Sequence, residues 1–269
     1  MADHASPPTI TQLIAQLLDR GAVGVVVTVV RGAATGAKLL IHDEKIVSGS
    51  LGNSELDALV IAPAAEFLKS HHETRMFSVS DFAPEFPQAS ETLLLFERLQ
   101  QAPRLVVCGA GHVGAALAKL ASFVGYQTTL IDDRAEFLER SRFPESQIDL
   151  VVAEDWEAAV RDAIGNGRGV SVAVVTRGHN EDERCMHAVV GANPDYAGLI
   201  GSKRRTSIAI DRLREKGATE EQLKKIHAPI GLDIGAISPE EVALAIIAEI
   251  VAYRRNASGG FLSAWRRKS

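Results

Sequence analysis

Three glycines, Gly109, Gly111 and Gly114, stand as G-x-G-x-x-G inside RLVVCGAGHVGAALAKLASFVGYQTTLIDD, residues 104–133. The first allows a tight turn, the second lets a ligand approach the backbone, and the third lets a helix pack on a strand. Bare amides at the start of that helix would face an anion with the positive end of the helix dipole behind them. His112 lies inside the motif, at the mouth such a turn would form. Asp132 follows Gly114 by 18 residues, about where a carboxylate meets ribose hydroxyls, and Asp133 and Arg134 come directly after it.

Further charged and hydroxyl residues gather where other apolar runs end. Val172 to Thr176 leads into RGHNEDER, which sets Thr176, Arg177, Gly178 and His179 just past a strand end, with Asp182 one helical turn on. Either His179 and Asp182 meet across that turn or Asp182 caps amides while His179 faces water. Gly201, Ser202, Lys203, Arg204 and Arg205 open a later helix. Cations there oppose the helix dipole, so they either hold an anion or point to solvent. In HAPIGLDIG, Pro229, Gly231 and Gly235 restrict the loop, and Asp233 stands among apolar neighbours as a loop-closing acceptor or a ligand contact.

The elements that must position these residues alternate after Arg104. Strands are expected at 105–108, 127–131, 149–152, 170–176 and 197–200, with helices between, which implies a parallel sheet covered on both faces. Ser238, Pro239 and Glu241 form a capping box that starts the last long helix. Before Arg104 the pattern differs. TITQLIAQLLDR reads as a capped amphipathic helix and the β-branched VGVVVTVV as a strand. LLI-HDEK-IVSGS reads as a hairpin, 53–70 as a helix and 75–80 as a strand. Three prolines fall between Asp81 and Arg104. The expected class is therefore α/β, a C-terminal parallel sheet preceded by a smaller α+β domain. The expected segments are 1–83 for the first domain, 84–103 for a linker, 104–255 for the second domain and 256–269 for a basic tail.

Composition excludes several functions. With 269 residues and 46% hydrophobic content the chain can bury full cores, and 29 basic against 34 acidic residues argue against broad neutralisation of nucleic-acid phosphates. Residues 1–100 carry 7 Lys and Arg against 12 Asp and Glu, so the acidity belongs to the first domain. Two cysteines, Cys108 and Cys185, make neither a disulfide framework nor a metal cluster. Cys108 reads as a core thiol and Cys185 as core or partly exposed, and His71, His72 and Glu73 read as polar surface. The longest apolar run, 22–30, is too short to cross a bilayer, and a cytoplasmic protein is expected. RGAATG and GSLGNSE read as turns open to a backbone approach, and neither supplies a nucleophile with a base.

GAGHVG, IDDR, TRGHNEDE, YAGLIGSKRR and IHAPIGLDIGAISPEEVALAIIAEI together resemble the xanthine dehydrogenase accessory protein family (XdhC/CoxI). The resemblance spans about residues 104–255 and is weaker in the first domain, through TVVRG, GAKLLI and GSLG. It implies a Rossmann-like domain that binds the molybdenum cofactor (molybdopterin) and delivers it to a xanthine dehydrogenase-type molybdenum hydroxylase. It also implies that a sulfur-donating desulfurase is a candidate partner. Carried over by position, Gly109, Gly111, Gly114, Thr176 to His179, Ser202 to Arg204 and the loop of Gly231 and Asp233 would surround the ligand. Where many members have Ser-Pro-Arg and Gly-Gly-Gly-Cys, this chain reads RGAATGAK and GSLGNSEL, so binding is the firmer expectation and sulfuration the weaker.

Two other classes compete. GAGHVG with Asp132 and Asp133 suits an NAD(P)-dependent oxidoreductase, with NAD favoured because carboxylates repel a 2′-phosphate, an inference that Arg134 blurs. The acidic first domain suits an interaction scaffold whose contact weakens with salt. A homodimer is a further expectation without a specific motif behind it.

Overall fold

A computed structural model describes residues 8–70 and 72–263. The chain divides between Gln101 and Ala102 into two compact units.

In the first unit, α1 (Ile10–Asp19) starts at Thr9, whose side chain forms a capping box with Gln12. Then come β1 (Gly24–Arg31), β2 (Lys38–His42), β3 (Lys45–Gly49), α2 (Ser54–Leu59), α3 (Ile61–Lys69), β4 (Thr74–Ser78) and β5 (Leu93–Leu99). The sheet order is β3-β2-β1-β5-β4, and every pairing is antiparallel. Asp43 and Glu44, with φ of 48° and 57°, make the β2–β3 hairpin turn. Alternate residues of β1 serve two cores. Val25, Val27 and Val29 pack with Phe67 and Phe96, and Val26 packs with Leu17 of α1. A strand covered on both faces reads as an unbroken apolar run, which is why VGVVVTVV is so uniform.

The expected linker at 84–103 is corrected here. It contains β5, paired with both β1 and β4. Pro84, Pro87 and Pro103 flank that strand rather than interrupt it, so the proline density marks its approaches. The single helix expected at 53–70 is two, α2 and α3, separated at Val60.

The second unit runs β6 (Arg104–Cys108), α4 (His112–Phe123), β7 (Gln127–Asp132), β8 (Ile148–Val152), α5 (Trp156–Ile164), β9 (Val170–Val174), α6 (His179–Ala192), β10 (Tyr196–Leu199), α7 (Lys203–Glu215), α8 (Glu220–Lys224), β11 (Ile226–His227) and α9 (Pro239–Arg254). Its sheet is parallel in the order β11-β10-β9-β6-β7-β8. Strand order therefore reverses between β6 and β9, and such switch points place a crevice at the carboxyl ends of the strands. Leu105 and Val107 face a core shared with α4 and α9, while Val106 and Cys108 face the α5 and α6 side. The edge strand β11 was not among the expected strands. At two residues it is too short to show alternation.

Ser238 caps α9 with Glu241, as the motif predicts. Of the expected basic tail only residues 256–263 belong to the described part. Arg266, Arg267 and Lys268 lie outside it, as does His71. No described helix is long and apolar enough to cross a membrane.

Candidate functional site

The glycine turn is built at the switch point. Gly109 has φ of +112°, and a Cβ there would lie 2.7 Å from the Val175 carbonyl oxygen, so the turns after β6 and β9 press together. A Cβ on Gly114 would come within 1.7 Å of the Gly109 carbonyl oxygen, which lets α4 start directly against the strand end. Gly111 differs. A Cβ added there would meet nothing within 4 Å, and the residue borders an open cleft of about 500 Å³. His112, the exposed first residue of α4, lies on the same cleft.

Three guanidiniums border that cleft, from Arg134 after β7, Arg177 after β9 and Arg205 in the first turn of α7. Each is held by carboxylate. Arg134 donates to Asp132 through Nε (2.9 Å) and Nη2 (3.0 Å). Arg177 grips Asp133 with both terminal nitrogens, at 2.9 and 3.0 Å. Arg205 donates through Nε to Asp182 at 3.1 Å and through Nη2 to the same oxygen. The other Asp182 oxygen accepts the Thr176 hydroxyl at 2.5 Å. Asp182 is 1% exposed, so these donors take the place of water around its oxygens.

Asp132 is equally enclosed. Besides the Arg134 side chain it accepts the backbone N–H of Ala110 at 2.6 Å and of Arg134 at 3.0 Å. Burial pushes its carboxyl upward, but these hydrogen bonds outweigh burial and hold it below the usual aspartate range. The bond to Asp132 raises Arg134 further above its ordinary value, and the bond to Asp133 does the same for Arg177.

Of the residues expected around a ligand, Gly109, Gly111, His112, Arg134, Thr176, Arg177 and Gly201 border the cleft. Gly114, Asp132 and Asp182 lie behind its wall as buried supports. Gly178 caps α6 without a side chain, and His179 is exposed at the first helical position while Asp182 turns to Thr176 and Arg205. Ser202 caps the Arg205 amide of α7 (3.2 Å), and Lys203 and Arg204 are exposed. Arg205, third in that helix, was missing from the expected ligand set. The carboxylate that turns it inward is 23 residues away, and no local signal distinguishes it from its two basic neighbours.

The loop of Gly231 and Asp233 also differs from expectation. Asp233 is exposed, and its apolar neighbours do not bury it. The carboxylate that closes the loop is Glu249 of α9, which accepts the Gly231 N–H, the Tyr196 hydroxyl (3.0 Å) and His227 Nδ1 (2.5 Å). Cys185 proves fully buried with Cys108 beside it; that contact first, then burial, pushes its thiol far up. Among the described residues no group of His, Cys, Asp and Glu is placed to hold a metal ion.

Residues 105–250 match the XdhC Rossmann domain. The chain belongs to the XdhC family. It is 36% identical over 233 residues to the uncharacterized protein YqeB of Escherichia coli K12, covering 84% of this chain and 42% of that one. It is 27% identical over 154 residues to the molybdenum cofactor insertion chaperone PaoD of the same organism, covering 56% of this chain and 40% of that one. The XdhC chain thus spans less than half the length of these curated relatives. Its fold is also that of a xanthine dehydrogenase (BH1974) from Bacillus halodurans, with a TM-score of 0.64, 20% identity, and coverage of 91% of this chain and 66% of that one.

Proposed function

We propose that this XdhC chain binds the molybdenum cofactor by its phosphate end in the arginine-bordered cleft and supplies it to a xanthine dehydrogenase-type molybdenum hydroxylase. The observation that carries the reading is the convergence of Arg134, Arg177 and Arg205 on one cleft beneath the Gly109–Gly111 turn. Arginine presents planar donors that match phosphate oxygens, and the cleft size lies within the ~300–1,000 Å³ of small-molecule sites. Open space at Gly111 gives the ligand backbone access. The family and the insertion-chaperone relative support the same role.

The cofactor would supply redox chemistry in the recipient enzyme. The chain's own residues bind and orient: the arginines hold anionic oxygens, Asp132, Asp133 and Asp182 hold the arginines, and Thr176 fixes Asp182. A desulfurase-like role for this chain finds no support, because both of its cysteines are 0% exposed. A nicotinamide-dependent oxidoreductase is the weaker reading, since the carboxylate that would meet a ribose is enclosed.

The test is a titration of purified protein with molybdopterin cofactor, wild type against Gly111→Val. Wild-type binding with loss of at least tenfold in the variant is expected. Absence of cofactor binding by the wild type, with full activity of the recipient hydroxylase in cells lacking the chain, would overturn the reading.

A further inference from the structure

Dinucleotide-binding sheets of this strand order use a carboxylate at the end of the second strand to accept ribose hydroxyls. Asp132 occupies that place at the end of β7, but it is 1% exposed. Oδ1 accepts the Arg134 N–H at 3.0 Å and Nε at 2.9 Å, while Oδ2 accepts the Ala110 N–H at 2.6 Å and Arg134 Nη2 at 3.0 Å. A carboxylate offers about four lone-pair sites, so none is left for a sugar.

Arg134 is fixed on its other side as well. Its guanidinium lies 3.8 Å from the centroid of the Phe137 ring, which sets the plane of the group. A guanidinium has five N–H donors. Nε and one Nη2 hydrogen serve Asp132, which leaves three for the cleft that Arg134 borders. Arg177 supplies a second cation beside it, tied to Asp133, and Asp133 is itself 3.9 Å from Arg134 Nε.

We propose that Arg134 is a specificity-determining residue, which makes the end of β7 a subsite for a phosphate group and closes it to the vicinal hydroxyls of a ribose. The assignment rests on the arginine-bordered cleft being the ligand site. The phosphate can come from a phosphorylated pterin or from the 2′-phosphate of a nucleotide, and both present the same dianion to Arg134.

The experiment is calorimetric titration of the full chain with inorganic pyrophosphate, NADP and NAD, in wild type, Arg134→Ala and Arg134→Lys. Wild type is expected to bind pyrophosphate and NADP at least tenfold more tightly than NAD. Arg134→Ala removes two of the four donors to Asp132, so phosphate affinity falls at least tenfold and NAD affinity rises. Arg134→Lys keeps the charge without the fork, retains part of the phosphate affinity, and decides the matter if the alanine variant does not fold. Equal affinity for NAD and NADP in wild type, no binding of any of the three, or selectivity unchanged in the variants would overturn the assignment. Molybdopterin titrated separately keeps the two ideas apart. Its failure to bind removes the cofactor reading and leaves the phosphate preference standing, whereas pterin binding without that preference does the reverse.

Discussion

Asp182 of α6 holds Arg205 of α7 across the edge of the parallel sheet, with the carboxylate buried and the guanidinium side chain 26% exposed toward the cleft. The pair turns one of three consecutive basic residues inward and leaves Lys203 and Arg204 in water.

Removing Arg205 leaves the buried Asp182 carboxyl with only the Thr176 hydroxyl as side-chain donor. Arg205→Ala is expected to destabilise the second unit by about 3 kcal/mol, the low end for breaking a buried pair because the arginine is partly solvated. Asp182→Ala with Arg205→Ala is expected to lose less than the sum of the single changes. Urea unfolding of the four proteins measures the coupling, and strict additivity would mean that the two side chains act independently.

Two glycines three residues apart are expected to respond in opposite ways. A Cβ at Gly111 meets no atom within 4 Å, so the stability cost of Gly111→Val is expected to be about 1 kcal/mol from the poorer helix cap, while ligand binding is lost. Gly114→Ala places a carbon 1.7 Å from the Gly109 carbonyl oxygen and forces α4 off the strand. Thermal melting separates them. A Gly114→Ala protein as stable as wild type would contradict the packing described.

Asp132 and Glu249 set a common acid dependence. For Glu249, burial pushes the carboxyl up, but bonds from His227, Gly231 and Tyr196 outweigh it and hold the folded value below the ordinary 4.5; Asp132 is held below 3.8. A folded value below the unfolded one gives stability that is complete above the unfolded value and is lost as pH falls through the folded one. Urea midpoints should therefore hold down to about pH 5 and decline below it. Glu249→Gln should be less stable at pH 7 and show a shallower decline between pH 5 and 3. A variant that declines as steeply as wild type would rule out the Glu249 contribution.

In the first unit, Arg98 of β5 donates to the carbonyls of Leu68 (2.8 Å) and Ser70 (2.7 Å) at the end of α3. A cation there satisfies groups that the helix leaves without partners. Arg98→Met should destabilise this unit by about 2 kcal/mol, with Arg98→Lys recovering only part, since a single ammonium can replace Nη2 but not Nε, which donates to the His72 carbonyl at 3.3 Å. Hydrogen exchange of the α3 amides reports the change, and protection equal to wild type in Arg98→Met would argue against the role.

What could be read in the sequence was local. Capping boxes at Thr9 and Ser238, the β-branched run of β1 and the spacing of Gly109, Gly111 and Gly114 depend on neighbours within a few residues, and each produces its structure directly. The alternation after Arg104 implies a parallel sheet because parallel strands need crossovers. Tertiary structure decided the partners. β5 looked like part of a linker because prolines flank it, yet only pairing with β1 and β4 makes it a strand. Asp233 is exposed while Glu249, an unremarkable residue in a helical run, closes the loop, and Arg205 rather than its neighbours reaches the cleft. Asp132 was identifiable as a carboxylate at the right distance from the glycines, but not as one already saturated by Arg134 and Ala110. Spacing fixes where a side chain starts, whereas the donors that surround a buried charge arrive from distant segments and exist only once the sheet has brought the strand ends together.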